Sequence, residues 1–110
     1  QQRWLELADR HEQAVQTEAG RAYFERFSQR HTAIAPDVEN RCGRAGSRSG
    51  RTYFQSVVML EADGTVAELL NMPDSPHLRC FEKQMRDQSY PPPPSSPYPV
   101  VVTFQLPTSN

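Results

Sequence analysis

Two cysteines, three histidines and a scatter of carboxylates and hydroxyls are the residues here that could do chemistry. Cys42 and Cys80 stand 38 positions apart with no CxxC spacing. Three states are open to such a pair: a disulfide, two free thiols, or half of a metal site. Zinc would need two further ligands. His11, His31 and His77 are the candidates, and none stands at a spacing from either cysteine that makes a site. Cys80 falls off the apolar stripe Leu78/Phe81/Met85, on the flank of its helix, where the segment leading into the first strand can reach it. The expectation is a Cys42–Cys80 disulfide, contributing about 4 kcal/mol by the chain-entropy model. A disulfide implies an oxidising compartment, the periplasm or the cell exterior.

The other polar residues do not assemble into a catalytic pattern. Glu61 and Asp63 flank a turn, where acids are ordinary. His77 follows a proline at the start of a helix. No Ser-His-Asp ordering or nucleophile elbow is present, and the glycines form no phosphate-binding loop. Ser47 and Ser49 lie in the stretch Arg41-Cys42-Gly43-Arg44-Ala45-Gly46-Ser47-Arg48-Ser49-Gly50-Arg51, too loose to hold a nucleophile in line. No catalytic residue, metal site or cofactor is assigned, and the sequence reads as a non-enzyme.

The elements that must position these residues follow from period and punctuation. Trp4, Ala8, His11, Val15, Ala19 and Ala22 recur at helical steps over residues 1–31, with Leu5, Tyr23 and Phe27 at the edges. Gly20 makes this one helix with a soft point or two helices breaking there. Pro36 is expected to end any helix, leaving residues 32–51 as a flexible basic connector. The period then changes. Thr52 to Leu60 reads as a strand, Glu61-Ala62-Asp63-Gly64 as a hairpin turn, and Thr65 to Met72 as the return strand. Ser75 and Pro76 open a helix that ends near Ser89. Val100, Val102, Phe104 and Leu106 alternate with Val101, Thr103 and Gln105 as a half-buried strand. The order is an N-terminal helix or helix pair, then β-hairpin, helix and strand. That is an α+β, two-layer domain with a small antiparallel sheet over residues 52–107.

Composition narrows the partners. The chain has 110 residues and a net charge of −1, with 10 Pro against 5 Gly. Mean hydropathy is −0.73. All of the 12 cations except Lys83 are Arg. Neutral overall charge argues against a nucleic-acid partner, so the basic stretch Arg41, Arg44, Arg48 and Arg51 reads as a solvated loop. No apolar run approaches the roughly 20 residues of a membrane span. Gln at position 1 reads as a processed chain whose targeting segment or anchor lies elsewhere. Pro91 to Pro99 reads as a stiff lead-in to the last strand.

The hydrophobic strand Phe54 to Leu60, the turn Asp63-Gly64-Thr65-Val66, the helix around Leu78 to Gln88, the Tyr90-Pro91 step and the terminal strand Val100 to Leu106 together resemble the C-terminal domains of the TonB/TolA type. The likeness covers about half the chain, and a helix cysteine such as Cys80 is similar to related periplasmic domains. The resemblance implies a periplasmic protein–protein interaction module of an envelope or transport complex. It implies an envelope or outer-membrane protein as partner, bound by pairing to the edge strand at Val100, Val101, Val102, Thr103, Phe104 and Gln105. Two other readings stand beside it: a structural or assembly subunit that self-associates as a homodimer through the same edge, and a small secreted hydrolase or effector.

Overall fold

The computed structural model describes residues 2–43 and 47–109. The first helix, α1, spans Gln2–Ala14 and buries Trp4, Leu7 and His11 along one stripe. It stops at the turn Val15–Thr17, three residues before Gly20. Thr17 makes the break. Its hydroxyl accepts the Gly20 N–H at 3.0 Å and donates to the Ala14 carbonyl at 2.7 Å, capping the second helix while closing the first. Gly20 lies in the first turn of α2, where a Cβ would collide with the Ala14 carbonyl.

The second helix, α2 (Glu18–Gly43), continues through Pro36. This corrects two expectations: Pro36 does not end the helix, and residues 32–43 are not a connector. The reason is the burial stripe. Tyr23, Phe27, Ile34 and Val38 are buried and Cys42 is half-buried, at helical spacing on both sides of the proline. Apolar anchors on either side hold the helix to the sheet although Pro36 supplies no N–H to the Thr32 carbonyl.

Strand β1 (Ser47–Leu60) starts five residues earlier than its propensity suggested, taking in part of the expected connector. It is the centre of a three-stranded antiparallel sheet ordered β2-β1-β3, with β2 at Val66–Met72 and β3 at Tyr98–Ser109. The hairpin turn is as expected. Asp63 Oδ1 accepts from the Thr65 N–H at 3.0 Å and the Thr65 hydroxyl at 2.7 Å. Gly64 takes φ +90°, and a Cβ there would strike the Tyr90 carbonyl. These bonds hold the Asp63 carboxyl below its ordinary pKa.

The class is α+β, and the helix pair is divided across the sheet. Alternation along the strands sends Phe54, Val58, Leu60, Val100, Val102 and Phe104 to one face, where α2 and the short helix α3 (Arg79–Arg86) cover them. Val57, Met59 and, half-buried, Val101 face the other way, against Trp4 and Leu7 of α1. Arg3 of α1 fixes that packing with two bonds to Glu68 on β2, at 2.5 and 2.9 Å.

Helix α3 follows a single 3₁₀ turn, Pro76–Leu78, which carries His77. A polar chain moors it to β2: the buried Ser56 hydroxyl donates to Asn71, Asn71 donates to Glu82 at 2.6 Å, and Arg79 bridges Glu82 at 2.6 Å and Asp74 at 3.0 Å. The Arg79 guanidinium holds the Asp74 carboxyl below its usual range. The Cys42–Cys80 disulfide is formed. It joins the last turn of α2 to the start of α3, not a pre-hairpin loop to a helix.

Candidate partner-binding edge

The proline lead-in delivers β3 to its place, and side chains of the two long helices hold it there. Prolines offer carbonyls without competing N–H donors. The Tyr23 hydroxyl donates to the Pro91 carbonyl at 2.6 Å, Arg30 to that of Ser89 at 3.0 Å, and Arg10 to that of Pro97 at 3.2 Å. Tyr90, expected only as part of an aromatic–proline step after the helix, is buried in the core. Its ring stacks on Phe27 at 4.3 Å, and its hydroxyl lies 3.0 Å from His31 Nδ1. Burial pushes the Tyr23 hydroxyl up to about 12, and raises that of Tyr90 as well. His31, packed edge-on to Phe104 of β3 at 4.9 Å, is pushed down to about 4 by burial.

Among the described residues, strand β3 pairs with β1 on one side only. Its register fixes which main-chain groups face outward. Opposed residues in an antiparallel ladder alternate between pairs that exchange both hydrogen bonds and pairs that exchange none. Pro99 stands opposite Met59 and Pro107 opposite Arg51. Neither proline has an N–H to give, so both belong to the non-exchanging set. The two lie an even number of residues apart, agree in phase, and carry Val101, Thr103 and Gln105 with them. The N–H and C=O groups of those three residues therefore point away from β1. Val100, Val102 and Phe104 bond instead to their partners Val58, Ser56 and Phe54. The carbonyls at the start of the strand keep the same phase: Pro99 is met by the buried His11 ring and Pro97 by Arg10, both from α1. Burial keeps the His11 pKa below its usual value.

The six residues expected at the partner edge thus divide. Val100, Val102 and Phe104 have buried side chains on the α2/α3 face. They anchor the strand. Val101 is half-exposed on the α1 face, and Thr103 is exposed beside Gln55, whose amide donates to its hydroxyl at 3.3 Å. Gln105 is placed by its backbone pairing with Tyr53. Tyr53, 66% exposed next to this edge, drew no functional reading from the sequence. Its signal was an aromatic on the polar side of an alternating strand.

No family model, curated protein or solved structure matches this chain.

The remaining expected groups lie apart from one another. Among the described residues, no three His, Cys, Asp or Glu side chains gather to hold a metal ion. His11 and His31 sit on different helices, each in aromatic packing. Arg41 pairs with Asp37 at 3.1 Å one turn away on α2. Arg48 and Arg51 lie in β1, and Arg44 falls outside the described residues. A cleft of 320 Å³ along the outer edge of β2 is lined by Trp4, Leu69, Leu70, Asn71, Asp74 and Glu82. Its two carboxylates are already engaged by Arg79.

Proposed function

We propose that this chain is a protein–protein interaction module that binds an extended segment of a partner by strand addition to β3. The observation that carries the reading is the free edge itself. Val101, Thr103 and Gln105 present three outward N–H groups and three outward carbonyls in one row, on a strand without a charged residue from Tyr98 to Ser109. Exposed edge strands in stable folds are ordinarily blunted by charge, cover or brevity. Here the middle of the edge is left open, and an open edge is the template for β-augmentation. The resemblance of residues 54–106 to TonB/TolA-type domains supports the same mode and suggests an envelope protein as the partner. The disulfide is consistent with an oxidising compartment, which supports the periplasmic setting that the resemblance suggests. On this reading the chain binds and does not catalyse.

Thr103→Pro tests the reading. It deletes one outward N–H and the hydroxyl that accepts from the exposed Gln55 amide, and leaves every main-chain β1–β3 bond in place. Immobilised wild-type chain is expected to retain a protein from periplasmic extract, and the Thr103→Pro chain, at an unchanged melting temperature, is expected to lose it. Equal retention by a folded Thr103→Pro chain would contradict strand addition at this edge.

A further inference from the structure

The edge is bounded at both ends, and its bounds define what it can read. At one end, Pro99 has no donor and lies beside the buried His11 ring, and the carbonyl of Pro97 before it accepts from Arg10 at 3.2 Å. At the other end Pro107 again removes the donor, in the same phase. Between them lie Val101 to Gln105. We propose that the partner segment recognised at β3 is read over five residues only, with α1 and Pro99 as the stop on one side and Pro107 as the stop on the other. This inference rests on strand addition at β3.

The chemistry of the segment follows. Its main chain must exchange bonds at alternate positions, opposite Val101, Thr103 and Gln105, so it must be extended and free of proline at those positions. The strand offers it no charge to pair with, so uncharged, β-branched residues suit it best. Past Gln105 the next outward position, Pro107, adds no donor, and beyond it the β1–β3 register shifts between Arg51 and Ser47. Pro99 and Pro107 therefore act as register-setting residues, and they also keep the edge too short to template indefinite sheet growth.

The test uses two blocked peptides of alternating Thr and Val, one of five residues and one of nine, titrated into isotope-labelled full chain. Both peptides are expected to slow amide exchange at residues 101, 103 and 105, with affinities within about threefold of each other. In Pro107→Thr, which restores one outward donor, the nine-residue peptide is expected to bind about tenfold tighter than to wild type while the five-residue peptide is unchanged. Thermal unfolding of the variant confirms that it is folded. A wild-type chain that binds the longer peptide tenfold or more tightly than the shorter one would overturn the five-residue window and leave strand addition standing. So would a Pro107→Thr chain that discriminates no better than wild type. Peptides that protect none of the three amides would overturn strand addition and the window together.

Discussion

A single residue, Gly64, sets the geometry of the hairpin turn where no other type fits. Gly64 carries φ +90° with the Tyr90 carbonyl pressed against the position a Cβ would take, and the Tyr90 N–H donates back to the Gly64 carbonyl at 2.9 Å. The hairpin turn and the end of the α3 excursion are therefore locked through one glycine. Gly64→Ala is expected to destabilise the fold by about 3 kcal/mol, the cost of a strained backbone plus displacement of Tyr90. Urea unfolding measures it, and a variant within about 0.5 kcal/mol of wild type would contradict this packing. His31 sets a pH dependence. Its folded pKa is about 4, below the ordinary 6.5, so the unfolded chain takes up the proton first. The contribution is complete above pH 6.5 and is lost as pH falls toward 4. From pH 6.5 to 4.5 the slope precedes titration of the lowered carboxyls of Asp63, Glu68 and Asp74. The full span corresponds to about 3 kcal/mol. His31→Gln is expected to flatten most of that slope, with buried His11 supplying the remainder. An unchanged slope would show that His31 is not buried neutral.

Elements are where the sequence was most and least legible. The hairpin, α3 and the last strand are written locally: Asp63-Gly64 can only turn, and Val100 to Leu106 alternates cleanly. The course of α2 is not written locally. Pro36 outweighs its neighbours in any short window. The stripe Tyr23, Phe27, Ile34, Val38, Cys42 that carries the helix past it shows only over five turns, against a sheet formed later in the chain. The split of the helix pair across the sheet is likewise hidden, because Trp4/Leu7 and Tyr23/Phe27 are similar stripes that bury on opposite faces. The edge was legible in outline. Which of its residues face outward needed the register, since Pro99 and Pro107 mean little until they are seen opposite Met59 and Arg51. The disulfide binds the least locally encoded piece, the end of α2, to α3. Cys42→Ser/Cys80→Ser is expected to lower stability by about 4 kcal/mol, the loss for a cross-link of 38-residue separation. A loss below about 1 kcal/mol in chemical denaturation would mean that the core alone fixes α2 against α3.

The whole molecule is a sheet sandwiched at unequal cover. Aromatic packing under α2 and α3, where Phe54, Phe81 and Phe104 meet at 4.3 to 5.7 Å, makes one face rigid. Helix α1 covers part of the other and wraps past the start of β3 through Arg10 and His11. Among the described residues, the outer edge of the run from Val101 to Gln105 is left without a strand partner, and Val100, Val102 and Phe104 anchor that run in the core. That combination, a rigid strand with a short free edge, suits a module that receives an extended segment without reorganising. The most direct measurement of this account is residue-resolved amide hydrogen exchange on the isolated chain. Outward and inward amides are predicted to alternate: Val101, Thr103 and Gln105 exchanging fast, Val100, Val102 and Phe104 protected by β1. Slow exchange at 101, 103 and 105, or rapid exchange at 100, 102 and 104, would contradict it.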